Sequence, residues 1–344
     1  MKKTIAMLTA AALTLSLAAC SSAPASSADS AASSGSSAAS TAEQSAADSV
    51  RIAIVQQMDH ASLDQIRAAI EAELDAQAAE QGITVEYELF NGQNDTTTLN
   101  QIGTQVVGDG YDAIIPIATL AAQCMVNAAA ETETPVIYAA ISDPAAADLT
   151  DISYVTGTSD YLDTEFIMEM MFTANPDIQT VGLLYSNSEP NSEAAIAAAR
   201  AYLDEKGVAY VEATGNTNDE VLAAAVTLAD QADAVFTPTD NVIMAAAGAV
   251  SATFTEAGIP YYTGADSFVT AGALATCGVN YDELGAATAD LALEVLRTGT
   301  VPEYQIVPGG IVTVNTETAA ALGLDPHVFD SLGGTLVEVT TAAE

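Results

Sequence analysis

The chain has no tryptophan, and Phe and Tyr make up only 6% of its 344 residues. It has 7 Lys and Arg against 46 Asp and Glu, a formal net charge of -39. Such a surface repels phosphate backbones, which argues against nucleic acid as a partner. It repels anionic lipid too, so membrane attachment would need a covalent or inserted anchor. Sugar sites usually stack rings on aromatic side chains, and a chain without tryptophan is poorly equipped for that. Two histidines, His60 and His327, leave little for a His-based metal or acid–base site. The three cysteines form no CxxC pair, so ligation of a metal by thiolates is unsupported. There is no GxxxxGK[ST] loop of an ATPase and no GxSxG turn of a serine hydrolase. No segment has the about 18 uninterrupted apolar residues that a bilayer-spanning helix needs.

Half of the residues are hydrophobic, enough for real cores, and the length suits about two domains. The first residues read as an export signal: Lys2 and Lys3, then an apolar stretch, then Leu17-Ala18-Ala19-Cys20. Leu-Ala-Ala-Cys looks like a bacterial lipobox. On that reading residues 1–19 are a lipoprotein signal peptide and Cys20 is the lipidated first residue of the mature chain. Residues 20–49 are nearly all Ser, Ala, Thr and Gly and read as a flexible spacer. The expected location is the outer face of the cytoplasmic membrane, with the body tethered by lipid. Cys124 and Cys277 remain as a possible disulfide or as two buried free thiols.

From Val50 onward, short β-branched runs alternate with amphipathic or Ala-rich stretches of helical length. VRIAIVQ, VEYELF, DAIIPI and PVIYAAI read as strands, with helices predicted over Leu63–Gln81, Thr98–Val107 and Ala118–Ala130. The pattern then restarts with TVGLLY and a helix over Ser192–Lys206, and AVFTP is followed by a helix over Val242–Glu256. This grammar predicts an α/β protein of two doubly wound, Rossmann-like lobes with parallel sheets. Residues 155–160 would form one crossover. The expected lobes are 50–158 with about 281–304, and 159–280 with about 305–344, joined by a hinge of three crossovers.

In open parallel sheets, ligands sit beyond the carboxyl ends of the strands. There the sequence places Ala118-Thr119, Ser142-Asp143-Pro144, the run Asn187 to Ser192, Thr239-Asp240-Asn241 and Asp266-Ser267. Each set begins a helix, so each could simply be a cap. The run from Asn187 to Ser192 has more polar side chains than capping needs, and a ligand is the simplest use for the excess. His60, after the first strand, could line the same cleft or be a solvated loop residue. Tyr161, Tyr185 and Tyr281 read equally as cleft or core.

At these residues the chain resembles the solute-binding lipoproteins of ABC importers related to the tryptophan-binding protein TrpX. The resemblance is carried by IAIVQQMDHASLDQIRAAI, NDTTTLNQIGTQVV, DAIIPIATLAAQ, PVIYAAISDP, VTGTSD, VGLLYSNSEPNS, DAVFTPTDN and GALATCGVNYDELG, in order, over about residues 50–325. It implies a periplasmic-binding fold of type I that closes on a small ligand, an amino acid, with aromatic ones bound by characterised members of the family. Carried over by motif, the ligand residues are Thr119, Leu120, Ala121, Ser142, Asp143, Ser188, Glu189, Asn191, Ser192, Asp240 and Asp266. Leu120 departs from the family's usual Pro. The Thr119 and Ser142 hydroxyls and the N–H groups near Leu120 would suit a carboxylate, and Asp240, or else Glu189, an ammonium. The implied partners are an ABC permease and its ATPase, with no cofactor, no metal and a monomeric state. Two other readings stand beside it: a ligand sensor for a membrane receptor, and a racemase using Cys124 and Cys277 as acid and base.

Overall fold

The computed structural model describes residues 49–342. The expected signal peptide, Cys20 and the spacer up to residue 48 lie outside them. No helix among the described residues is long and apolar enough to cross a membrane.

The chain begins as strand–helix units: β1 (Ser49–Gln56), α1 (Ala61–Gln81), β2 (Thr84–Asn91), α2 (Thr96–Asp109), β3 (Ala113–Ile117), α3 (Thr119–Ala129), β4 (Val136–Tyr138) and β5 (Val155–Ser159). The second series is α4 (Thr164–Ala174), β6 (Thr180–Tyr185), α5 (Pro190–Lys206), β7 (Ala209–Thr214), α6 (Asn218–Ala229), β8 (Ala234–Thr237), α7 (Asn241–Met244), α8 (Ala247–Ala257), β9 (Tyr261–Thr263), α9 (Asp266–Thr270) and β10 (Ala275–Gly278). The chain finishes with α10 (Tyr281–Thr298), β11 (Gln305–Ile306), β12 (Ile311–Asn315), α11 (Thr316–Leu322), a 3-10 segment (Pro326–Leu332) and β13 (Thr335–Val339).

Two sheets result. The first has the order β11-β5-β4-β3-β1-β2 and is parallel throughout. The second has the order β13-β12-β10-β9-β8-β6-β7, parallel except where β10 meets β12. Central strands such as AIIPI of β3 and AVFT of β8 are buried along their whole length. That is the mark of a sheet covered by helices on both faces, and it explains why these strands read as continuous apolar runs.

The chain passes between the sheets three times: after β5, between β10 and α10, and between β11 and β12. Helix α10 packs on α1, so the chain returns to the first sheet before β11 extends that sheet beside β5. At Gly285 of α10, an added Cβ would come within 2.7 Å of Ile66 O and 2.6 Å of the Ala69 Cβ. The two helices therefore touch backbone to backbone.

Three predicted elements differ. Residues 155–160, expected as a crossover, are mostly strand β5, which pairs with β4, and the crossing comes after it. The single helix expected over Val242–Glu256 is broken into α7 and α8, because the residue between them, Ala246, leaves helical geometry at φ -114°, ψ 10°. The strand expected over Pro135–Ile141 keeps only Val136–Tyr138 and a bridge from Ala139 to Ile117, because Ala140 turns to φ 58°.

The contact at Gly285 has a direct consequence. Gly285→Val should overpack the α1–α10 interface and cost about 1–3 kcal/mol of stability. A lower urea midpoint at unchanged slope would show this, and an unchanged midpoint would mean the helices are free to part.

Candidate functional site

The carboxyl ends of both sheets face a single small cavity. Its walls include His60, Ser62, Leu63 and Ile66 from the β1–α1 side, Thr119 from α3, and Ser142 and Asp160 after β4 and β5. The second sheet contributes Asn191, Thr239, Asp240, Asn241, Met244 and Phe268, and α10 contributes Tyr281. The enclosed space is about 20 Å³, room for about one water. Side chains at its wall must therefore shift to admit an amino acid.

Hydrogen bonds between the sheets ring this space. Gln57 Nε2 donates to Glu189 Oε1 at 2.9 Å. His60 Nε2 meets Asn241 Oδ1 at 2.9 Å. The Ser62 and Ser267 hydroxyls are 2.5 Å apart, and those of Ser142 and Thr239 3.0 Å. All four pairs join groups from opposite sheets, so each must break when the sheets separate.

Two backbone outliers lie at the same place. Ala118, at φ 76°, and Ala140, at φ 58°, both line the cavity. Such conformations cost about 1–3 kcal/mol each in a non-glycine residue. Ala118 occupies the N-cap of α3, where an alanine side chain has nothing to offer the first N–H groups. Leu120 N–H donates instead to Gln57 Oε1 at 3.1 Å. The first turn of α3 thus delivers its free N–H groups and positive dipole end to the cavity.

Opposite in character is Asp160. Its carboxylate is buried, accepting from Ser142 Oγ at 2.9 Å and from the Tyr281 hydroxyl at 3.2 Å. Neither partner is charged, and burial pushes its pKa up to about 6 against the pull of those two hydroxyls. Among the described residues no Lys or Arg lines the cavity. A buried carboxylate with only neutral partners is what a cationic ligand group would relieve.

Of the residues singled out in the sequence, Thr119, Ser142, Asn191 and Asp240 line the cavity. Asp240 is fully buried and accepts from Ser186 N–H (2.7 Å), Ser192 Oγ (2.7 Å) and Ile243 N–H (3.0 Å). It caps α7 and fastens the β6–α5 turn, with Ser192 behind it. Leu120 and Ala121 stand in the first turn of α3, and Asp143 lies on an adjoining open recess that shares Ser142, Asn191 and Thr239 with the cavity. Ser188 is exposed and bonds to Ser186. Asp266 stands beside the cavity, with a buried Oδ1 that has no partner among the described residues.

Glu189 does not line the cavity. Its two oxygens are taken by Gln57 Nε2 and by Asn241 Nδ2 (2.6 Å). Burial, with Asp240 beside it, pushes this carboxyl well above the usual range. The crowded turn from Asn187 to Ser192 is therefore mostly an internal brace, and only Asn191 reaches the cavity wall. Sequence reasoning missed Asp160, gave Gln57 no role, and set Asn241 on the ligand edge only as the neighbour of Asp240. Asp160 follows directly on a strand and ends the VTGTSD motif, which was the available signal.

Cys124 and Cys277 are both free and buried in different cores, one in α3 and one in β10. Burial raises the pKa of Cys124 and takes that of Cys277 up to about 11, and neither lines the cavity. This is not an acid–base pair.

Comparison with known proteins agrees with this geometry. Residues 51–324 match the family described as ABC transporter substrate binding protein. The chain is similar to a tyrosine-binding protein of Clostridioides difficile, 31% identical over 289 residues, 82% of this chain and 83% of that one. It is similar in structure to a Streptococcus pneumoniae ABC domain solved in complex with L-Trp. That match has a TM-score of 0.77 and 28% identity over 84% of this chain and all of the other. A Clostridium difficile substrate-binding protein with adhesive properties, solved ligand-free and open, gives 0.64 at 29% identity, over 85% of this chain and all of the other. With two α/β sheets, a cavity between their carboxyl edges and the match over residues 51–324, the chain belongs to the ABC transporter substrate-binding protein family, whose members bind rather than transform their ligands.

Proposed function

We propose that this chain captures an aromatic amino acid between its two sheets and presents it, closed, to a membrane permease driven by a separate ATPase. The observation that carries the reading is the pairing of one buried, cation-free carboxylate, Asp160, with a facing set of neutral donors. The ligand's ammonium would sit on Asp160. Its carboxylate would take the Thr119 hydroxyl and the N–H groups at the start of α3. Asp240 also lines the cavity, but its bonds to Ser186, Ser192 and Ile243 already serve the fold. Two relatives named for tyrosine and solved with L-Trp support the aromatic class.

The mechanism is hinge closure at the three crossovers. The TM-score is higher with the L-Trp complex than with the open, ligand-free relative at nearly equal identity, as expected when these sheets lie close together. The four bonds between the sheets hold the closed form. Export and tethering through Cys20 would keep the body near its permease, on a spacer long enough to let it turn.

Asp160 gives the binding a pH dependence of fixed sign. Its pKa in the free protein is raised to about 6, and a neighbouring ammonium would lower it again. Below about pH 6 the ligand must therefore displace a proton. Affinity should fall by up to about tenfold per pH unit there, and stay level between pH 7 and 8. Because the folded pKa is raised, the ionised carboxylate works against the fold above about pH 6. Asp160→Asn should raise the melting temperature at pH 7.5, yet weaken binding by roughly 10- to 100-fold and erase the acid limb. Calorimetric titrations from pH 5 to 8 decide this; an acid limb that persists in the variant places the ammonium elsewhere.

The function itself is tested by thermal shift against amino acids, sugars and nucleosides. A ligand at 100 times its dissociation constant stabilises by about 2.7 kcal/mol, so tyrosine or tryptophan should move the melt plainly. A shift with a sugar or nucleoside alone would overturn the ligand class. Glu189→Ala removes a bond between the sheets and leaves Gln57 and Asn241 amides short of a partner. It should weaken the same ligand by about 1–3 kcal/mol, read by calorimetry, and unchanged affinity would show that Gln57–Glu189 does not hold closure.

A further inference from the structure

The hydrogen-bond chain that runs from α3 to His60 fixes the protonation of the histidine ring. Leu120 N–H donates to Gln57 Oε1, so the amide nitrogen of Gln57 must point the other way, to Asn94 Oδ1 (2.8 Å) and Glu189 Oε1 (2.9 Å). The other Glu189 oxygen accepts from Asn241 Nδ2. The Asn241 amide lies with Nδ2 on Glu189 and Oδ1 toward His60 Nε2, and an amide oxygen can only accept. Nε2 therefore carries the hydrogen. In a neutral ring Nδ1 is then a lone-pair acceptor. Burial lowers the ring's pKa against the opposing pull of Asn241, Asp64 and Asp59, which keeps it neutral.

Nδ1 is buried and has no hydrogen-bond partner among the described residues. His60 is the N-cap residue of α1, but its side chain makes no capping bond, so the ordinary structural use of this nitrogen is not made. The ring lines the ligand cavity. A buried polar atom without a partner is rare and costs free energy unless something else satisfies it.

The sheet order says which end of a ligand could do so. Asp160 follows β5 and Ser142 follows β4, whereas His60 follows β1. Strands β5, β4, β3 and β1 are successive neighbours, so the ends of β5 and β1 are three strand spacings apart, roughly 14 Å. Among the polar groups of the cavity wall, Leu63, Ile66, Ala118, Met244 and Phe268 supply an apolar surface. A ligand held by its ammonium at Asp160 would lay its side chain along this wall, toward His60.

We propose that His60 Nδ1 is a specificity determinant of the cavity, accepting a hydrogen bond from a donor carried on the ring of the bound amino acid. The inference rests on the amino-acid reading above and narrows it. The preferred ligands are aromatic amino acids with a phenolic O–H or an indole N–H, and phenylalanine is discriminated against. His60 takes part through position and tautomer alone, with no proton transferred.

The test is calorimetric titration of the full chain with tyrosine, tryptophan and phenylalanine, in wild type and two variants. His60→Gln keeps a donor for Asn241 at the Nε2 position but removes the acceptor at the Nδ1 position. His60→Asn does the reverse. Wild type should bind tyrosine or tryptophan about tenfold or more tighter than phenylalanine. His60→Gln should bring that ratio to within about threefold by weakening the donor-bearing ligand alone, and His60→Asn should retain most of it. A merely structural role would weaken all three ligands together and leave the ratio intact, and that result overturns the proposal. So does a wild type that binds phenylalanine as tightly as the other two, although the amino-acid reading would survive. Failure of all three to bind removes both.

Discussion

Asp160 sits where the chain first leaves the first sheet, its carboxylate buried and met only by the Ser142 and Tyr281 hydroxyls. Burying an ion without a counter-charge is among the most costly things a fold does. The surrounding features make sense as consequences. Ser142 ends the β4 crossing and touches Thr239 of the other sheet, while Tyr281 opens α10 at the second crossover. One carboxylate thus ties together two of the three places where the chain can bend. A group that stabilises its charge would act on the hinge directly.

Closure itself is built from polar contacts of small individual worth. The bonds Gln57–Glu189, His60–Asn241, Ser62–Ser267 and Ser142–Thr239 each exchange water for a protein partner, so each contributes only about 0.5–1.5 kcal/mol net. That is weak enough for the sheets to part and strong enough, in sum, to reward a ligand that aligns them. The apolar cores are where the rigid bodies are made, and Gly285 shows how tightly α10 is locked to α1.

The alternating architecture was plain in the sequence because buried parallel strands write continuous β-branched runs and Gly residues end the helices between them. Helix α4 was not, since FIMEMMFTA is apolar on nearly every side and shows no clean period. The break between α7 and α8 was hidden too: it falls at Ala245–Ala246, residues that favour helix. Among site residues, Thr119, Ser142, Asn191 and Asp240 were legible as polar helix starts at strand ends. Glu189 looked the same in sequence, yet both its oxygens are consumed by amides. Asp160 escaped notice because it begins no helix, and the roles of Gln57 and Asn241 because amides act here only through partners distant in the chain.

The most direct test of the account is a crystal structure of the protein grown with tyrosine. The account predicts electron density for the ligand between the two sheets, its ammonium nitrogen at hydrogen-bond distance from the Asp160 carboxylate and its carboxylate on the first turn of α3. A ligand bound between the sheets in the reverse orientation, or with its ammonium on Asp240 and Asp160 untouched, would contradict it.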